Sequence, residues 1–328
     1  MKESDIRSQK MMSEYLRLAS IDAEKFFNRK ERTEIPCPAC GSTSGSFEFK
    51  KYEFDYVSCG ICASLYQSPR PHLDTFKEFY NNSPSSNFWA KNFFPSVAES
   101  RREIIFKPRV DQLAKFCNDK HFHPGTVMDI GAGYGIFLEE WKKRFPKTRC
   151  IAVEPAKNMA AICRNKDLEV VEAFAEDVES HVRISDLVVC FEVFEHVHNP
   201  IEFVKTLCQF TSNGGYLMIS TLGVDGFDIQ VLWQNSNSVS PPHHINFFSI
   251  KGFKSLFKRI GLEDITILTP GKLDVDIVRN AYRKDPKVLK DQRYLKELLA
   301  DKSKSEAFQN FLSENLMSSH TWVIAKKS

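Results

Sequence analysis

The chain has 328 residues, 42% of them hydrophobic and 27% charged, with a formal net charge of +3. That length supports one large core plus a small module, and the composition excludes a chain disordered throughout. So balanced a charge gives no general reason to expect a nucleic-acid or membrane partner, and no apolar run suits a signal peptide or a membrane span, so a cytoplasmic protein is expected.

Residues 1–30 are polar and helix-prone and read as a helical lead. Residues 31–72 carry two C-x-x-C pairs, Cys37-Pro38-Ala39-Cys40 and Cys59-Gly60-Ile61-Cys62, separated by residues 41–58. Each pair presents two thiolates from one tight knuckle, and two knuckles complete a tetrahedral zinc site. Four protein ligands leave no position for water, so Cys37, Cys40, Cys59 and Cys62 are expected to hold structural zinc, with paired redox dithiols as the other reading. Between the pairs, Phe47, Phe49, Tyr52, Phe54 and Tyr56 largely alternate with polar residues, as the hairpin strands of a zinc ribbon do. Cys117, Cys150, Cys163, Cys190 and Cys208 sit in apolar or helical settings and read as small core residues.

Ser68-Pro69-Arg70-Pro71 punctuates the exit, and residues 73–124 read as a helical connector suited to cover an acceptor. It carries Phe76, Phe79, Tyr80, Phe88, Trp89, Phe93 and Phe94, then Arg101, Arg102 and Arg109. The guanidinium groups suit a pyrophosphate, or else form a solvated helix face.

Residues 125–328 alternate strand and helix. Val127-Met128-Asp129-Ile130 runs into Gly131-Ala132-Gly133-Tyr134-Gly135, and Ile136 to Phe145 follows as a helix. Cys150 to Val153 is a second strand ending on Glu154, Leu168 to Val171 a third, and Asp186 to Glu192 a fourth, followed by Glu195-His196 and a helix opened by Asn199-Pro200. Gly215 to Thr221 makes a fifth strand, Ser249 caps a helix that Gly261 stops, and Asp264 to Leu268 is a sixth. His320 to Ala325 suits a last, antiparallel strand, which makes 272–318 a helical insertion near the acceptor pocket, serving as lid or as a homo-oligomer contact.

The glycine spacing is G-x-G-x-G, with Ile136 where a dinucleotide fingerprint needs its last glycine. It resembles the S-adenosylmethionine (SAM) loop of class I methyltransferases, and Glu192-x-x-Glu195-His196 resembles that family's segment after strand four. The resemblance implies an α/β, Rossmann-like seven-stranded methyltransferase fold with SAM as cofactor. Asp129, Gly131, Gly133, Gly135 and Glu192 would then form the cofactor site. Glu154 would accept hydrogen bonds from both ribose hydroxyls, and Glu176 and Asp177 would lie where the family contacts adenine.

The acceptor side centres on Ser240-Pro241-Pro242-His243-His244, where an imidazole near neutral pH can take a proton from the acceptor. His244 is the first candidate base, with His243 and His196 behind it. Each could instead hydrogen-bond backbone and shape the pocket. The CxxC pairs, Tyr80, Glu154-Pro155-Ala156-Lys157-Asn158 and His244 through Ser249 resemble zinc-containing sugar C-methyltransferases, which implies a nucleotide-sugar acceptor and a histidine base with a neighbouring tyrosine and glutamate; Tyr80 of the connector is a further catalytic candidate. That family's tyrosine and glutamate before the histidine are Pro241 and His243 here, and its large C-terminal domain is absent, so O-methylation of a sugar in polysaccharide biosynthesis stands level with C-methylation. The catalytic segments also resemble ubiquinone-type and polysaccharide-cluster O-methyltransferases. An RNA methyltransferase with the ribbon as RNA-binding module, and a non-enzymatic zinc-ribbon binding protein, are the remaining alternatives. Glu48, Glu53 and Asp55 dilute Lys50 and Lys51 in the ribbon, which argues against RNA, and intact loop glycines argue against a degenerate fold.

Overall fold

The structure is a computed structural model that describes residues 2–178 and 184–328. At the N-terminus, α1 (Glu3–Ile6) and α2 (Gln9–Phe27) precede a small antiparallel module. β1 (Arg32–Thr33) pairs with β5 (Arg70–Pro71) at its neck, while β2 (Gly45–Lys51), β3 (Phe54–Cys59) and β4 (Leu65–Gln67) form successive hairpins. Phe49, Phe54 and Tyr56 are buried, whereas Phe47, which regular alternation would put on the face of Phe49, is 64% exposed because the register of β2 against β3 shifts between the two. The inward rings share one apolar cluster with Ala23, Phe26 and Phe27 of α2, so the helical lead is a roof on the ribbon.

The connector is helical, as expected: α3 (Leu73–Asn82), α4 (Pro84–Phe88), α5 (Phe94–Arg101) and α6 (Lys107–Asp119), joined by wider π-helical turns at Trp89–Phe93 and Arg102–Phe106. Beyond it lies a seven-stranded sheet of β6 (Thr126–Ile130), β7 (Arg149–Val153), β8 (Glu169–Val171), β9 (Ser185–Phe191), β10 (Thr211–Leu222), β12 (Glu263–Leu268) and β13 (His320–Lys326). Its order is β12-β13-β10-β9-β6-β7-β8, with β13 antiparallel to both neighbours. The inner strands are near-continuous apolar runs because both faces are covered. On one face Val127, Leu187 and Val189 meet Phe137 and Trp141 of α7 (Ile136–Arg144). On the other, Met128, Ile130 and Val188 meet Phe203 and Leu207 of α9 (Pro200–Phe210) and Phe253 of α11 (Ile250–Ile260). α8 (Lys157–Arg164) links β7 to β8. Ser249 caps α11 by accepting from the Gly252 amide at 2.9 Å, and Gly261 ends it at φ 84°.

Two features depart from expectation. The stretch 240–249 is not wholly loop: β11 (Asn246–Phe247) pairs antiparallel with β4, placing Asn246 opposite Tyr66 and Phe247 opposite Leu65. The ribbon's open edge would otherwise leave backbone groups unpaired, and a segment next to the acceptor loop fills it. The insertion is helical, as α12 (Asp274–Lys284), α13 (Arg293–Ala300) and α14 (Lys302–Glu314), but none of its described residues lines the acceptor cavity. Its apolar stripes are consumed by a separate core of Val275, Val278, Leu289, Leu299 and Leu312 with Leu232 of α10 (Phe227–Leu232). It reaches the site indirectly: the Glu3 amide donates to Asp276 at 2.7 Å, and Asn280 donates to Glu3 at 3.0 Å. Among the described residues no helix is long and apolar enough to cross a membrane.

Candidate active site

In open sheets of this order, ligands bind outside the carboxyl ends of the strands where the connections diverge, here between β6 and β9. The chain leaves β6 through Gly131 and Gly133 at φ 74° and 55°. A Cβ on Gly131 would stand 2.6 Å from Cγ2 of Val193, so a side chain there collides with the segment after β9. A Cβ on Gly133 would meet nothing within 4 Å. That open space is a cavity of about 790 Å³. Gly135 caps α7 behind it and does not line it.

β7 delivers Glu154 to the cavity wall. Its Oε2 accepts from the Gly133 amide at 2.8 Å and its Oε1 from the Ala156 amide at 2.9 Å, and each oxygen keeps a second lone pair. Burial raises its pKa, and the two amides oppose that rise. Glu176 and Asp177, on a short turn after β8, line the same wall. Asp129 is buried with Oδ1 lacking a partner, and burial pushes its carboxyl well above the usual range against the pull of Arg109. Glu192 sits at φ 54°, a strained position for a non-glycine residue. Its Oε1 accepts from Ser220 at 2.6 Å, His320 at 2.9 Å and Arg109 at 3.2 Å. Burial works against its charge, but His320 and Arg109 hold its carboxyl well below the usual range.

The other half of the cavity gathers the histidines. Nδ1 of His196 lies 2.8 Å from the carbonyl of His243, and Nδ1 of His244 lies 2.6 Å from the carbonyl of Ser238. A carbonyl only accepts, so both rings carry their proton on Nδ1 and leave the Nε2 lone pair free. The two rings are 4.8 Å apart. Burial, then the neighbouring His244, lowers the pKa of His196 to about 3, and burial lowers that of His244 to about 4. Such values weaken His244 as a base near neutral pH, the role expected from its sequence position. His243 differs again: its Nε2 is 3.0 Å from the Ser85 hydroxyl, and its ring packs against Tyr15, Phe79 and Tyr80. The hydroxyl of Tyr80 donates to the His243 carbonyl at 3.3 Å, and burial raises its pKa well above 10.

Sequence reasoning missed two residues on this wall, Glu195 and Arg7. Glu195 is 2% exposed, accepts from Thr221 through Oε2 at 2.8 Å, and has a pKa raised to about 8 by burial and then by Glu192. Its signal was its place in E-x-x-E-H. Arg7 has none, since only folding brings the N-terminus over the cavity. Arg101, which the connector offered as one of three cations, lines the cavity over the Phe94 ring, whereas Arg102 is paired with Glu139 and Glu140. Among the described residues neither Arg7 nor Arg101 has an ion-pair partner, and Nε of each is buried without a hydrogen bond.

The four ribbon thiols converge on a separate point. Cys37 and Cys62 sulfurs are 3.6 Å apart, Cys40 and Cys59 sulfurs 3.5 Å, and all four lie within 4.8 Å of one another. Sulfurs about 2.3 Å from a tetrahedral zinc stand about 3.8 Å apart, so the set fits that ion. None of the four lines the cavity. The cluster is pinned to α11, where the Ser249 hydroxyl donates to the Cys62 carbonyl and Arg259 to that of Ala39 at 3.0 Å.

A family model described as a methyltransferase domain matches residues 98–267, more than half of the 328. The chain is 24% identical over 180 residues to an uncharacterized protein of Methanocaldococcus jannaschii, covering 53% of this chain and 82% of that one. It is 30% identical over 138 residues to the malonyl-[acyl-carrier protein] O-methyltransferase of Bacillus cereus, which is 40% of this chain and 51% of the enzyme, about half its length. Among solved structures, the plantazolicin methyltransferase BpumL in complex with a monoazolic desmethylPZN analog and SAH is similar in fold, at a TM-score of 0.50 and 15% identity, covering 77% of this chain and 94% of that one.

Proposed function

The chain belongs to the methyltransferase-domain family, and on that premise we propose that it transfers the methyl group of SAM to a hydroxyl oxygen of a small polar acceptor that also carries a phosphate, a sugar phosphate or nucleotide-sugar being the natural fit. The observation that carries this is a single cavity with the glycine loop and Glu154 on one wall and His196, His244, Arg7 and Arg101 on the other. SAM supplies an electrophilic methyl on a sulfonium centre. Gly133 leaves room for close backbone approach, Glu154 has lone pairs for the ribose hydroxyls, and Asp129 has a buried acceptor free for the ammonium. Glu176 and Asp177 bound the adenine side, and Glu192, fixed by three donors, holds Arg109 in the wall. Two unpaired guanidinium groups in a half-buried wall favour an anionic acceptor and suit phosphate oxygens in particular. His196 and His244 turn free lone pairs toward the acceptor, while His243 and Tyr80 hold that loop in place. O-methylation is favoured over C-methylation because Pro241 and His243 stand where the sugar C-methyltransferases carry their tyrosine and glutamate.

We assign the ribbon thiols a structural zinc. A cytoplasmic location suits nine unpaired cysteines. The test is transfer of radiolabelled methyl from SAM by the purified chain into a fractionated cell extract. Label in acid-soluble, phosphate-bearing metabolites is the expected result. Label confined to RNA or to lipid overturns the acceptor assignment.

A further inference from the structure

We propose that Tyr134, which stands between the second and third glycines of the cofactor loop, is a positioning residue for the acceptor: it holds the connector helix α5 against that loop and, through the Phe94 ring, sets the Arg101 guanidinium in the cavity. This role rests on the reading of Arg101 as an anion contact given above. Two contacts carry it. The Tyr134 hydroxyl donates to the Ala90 carbonyl at 2.6 Å, and the Tyr134 ring stacks on that of Phe94 with centroids 4.7 Å apart and planes 13° from parallel. The same Phe94 ring carries the Arg101 guanidinium 5.3 Å from its centroid.

The sequence explains why that carbonyl needs a side-chain donor. Pro95 has no amide hydrogen, and its ring crowds the carbonyl one turn back, so the chain widens into the π-helical turn Trp89–Phe93 just before it. In that turn the Phe94 amide donates to the carbonyl of Trp89 rather than to that of Ala90. The next nitrogen in line, that of Pro95, carries no hydrogen. The half-buried Ala90 carbonyl is therefore left with no backbone donor, a group that folded chains pair by other means. Tyr134 supplies the hydrogen bond from the cofactor loop, 44 residues further along the chain.

The other end of α5 is fixed by Arg102, which pairs with Glu139 at 3.0 Å and with Glu140 of α7. That pairing places the backbone of Arg101 but not its side chain. Among the described residues Arg101 has no carboxylate partner to orient it, so the direction of its guanidinium follows the ring on which it lies, and that ring follows Tyr134. Ala90, Phe94, Arg101 and Tyr134 all line the one cavity. Because Tyr134 belongs to the cofactor loop itself, an anion held by Arg101 is placed relative to the methyl donor and not relative to the outer roof of α2. Such registration matters, since transfer needs the acceptor oxygen about 3–3.5 Å from the methyl carbon.

The full chain, saturated with the cofactor product SAH, is titrated calorimetrically with inorganic pyrophosphate as the anion probe, for the parent, Tyr134→Phe, Arg101→Gln and the double variant. Tyr134→Phe keeps the ring, so its SAH affinity should stay within about threefold of the parent's, and a larger loss would make Tyr134 a cofactor contact and overturn the role. Tyr134→Phe is expected to weaken pyrophosphate binding about twofold to tenfold, the worth of one hydrogen bond, and Arg101→Gln about tenfold or more. Since Tyr134 acts through Arg101, the double variant should bind no more weakly than Arg101→Gln alone. Parent-like binding by Tyr134→Phe, or losses that add in the double variant, overturns the role. Pyrophosphate binding that is absent, or indifferent to Arg101→Gln, refutes the anion contact instead. Hydrogen exchange of the α5 amides then decides the hold on α5: faster exchange in Tyr134→Phe upholds it, and unchanged exchange removes it.

Discussion

Substitutions at Gly131 and Gly133 separate the stability of the glycine loop from its ligand contact. Both residues have positive φ, and an alanine at either pays about 1–2 kcal/mol of left-handed strain. The added Cβ then behaves differently. At Gly131 it meets Val193 at 2.6 Å and forces a shift, adding about 1–3 kcal/mol of overpacking. At Gly133 it enters empty space, so no further cost arises in the free protein. At about 2.1 cal/mol/K per residue, each kcal/mol shifts the melting of a 328-residue chain by about 1.5 °C, so Gly133→Ala should melt about 1.5–3 °C below the parent, with Gly131→Ala lower still. Binding should run the other way. A valine at 133 occupies the space the cofactor backbone approach requires, and SAH affinity should fall at least a hundredfold, about 2.7 kcal/mol. Calorimetric melting and SAH titration of Gly131→Ala, Gly133→Ala and Gly133→Val give both quantities. If Gly133→Val binds SAH within threefold of the parent, the cofactor does not lie against this loop.

Other perturbations reach the remaining walls. His244→Ala should retain SAH binding and lose methyl transfer by at least a hundredfold, about 2.7 kcal/mol; unchanged turnover would remove it from the reaction. Arg101→Gln should raise KM for a phosphate-bearing acceptor about tenfold or more with SAM binding unaltered, since a charged hydrogen bond is worth about 1.5–3 kcal/mol, and an unchanged KM would free the acceptor from the anion requirement. Cys59→Ser should release the zinc and disturb acceptor turnover as well as the ribbon, because β4 pairs with β11 beside His244; stoichiometric metal in that variant would refute the four-thiolate site. Asp228 is fully buried in α10, and burial, with Asp274 beside it, raises its pKa to about 8. The native state therefore binds one more proton than the unfolded chain between about pH 4 and 8, so its contribution to stability falls as pH rises through that window. Asp228→Asn should flatten that slope in denaturant titrations run across the window, and an undiminished slope would locate the proton elsewhere.

The sheet was legible because burial on two faces writes itself into the chain. Val127 to Ile130 and Leu187 to Phe191 are apolar runs that only a covered strand tolerates, and their observed bounds differ from those expected by a residue or so. Ser249 and Gly261 were legible for a different reason, since a capping hydroxyl and a left-handed glycine are local demands. The cavity's cofactor wall follows from both, being the loop that leaves the first strand. The acceptor wall does not. β11 is two residues long, too short for any period, and it exists only because β4 presents an open edge. Arg7 lies far from Arg101 in sequence, and no spacing rule relates them. His244 looked like a base on sequence grounds because an exposed imidazole titrates near neutrality, and burial removes that property.

The insertion gains a role from the same contacts that deny it the lid. Its helices spend their apolar faces on one another and on α10, so they form a rigid block outside the cavity. That block grips α1 through Asp276 and Asn280, and α1 ends immediately before Arg7. A four-residue helix has no stability of its own in water. The Arg7 side of the proposed acceptor wall therefore depends on a segment ordered from outside the pocket, and Asn280→Ala, which touches nothing in the cavity, should loosen Arg7 and raise acceptor KM while leaving SAH affinity unchanged. An acceptor KM equal to the parent's would mean that α1 is held by its other contacts, and that the insertion has no part in acceptor binding.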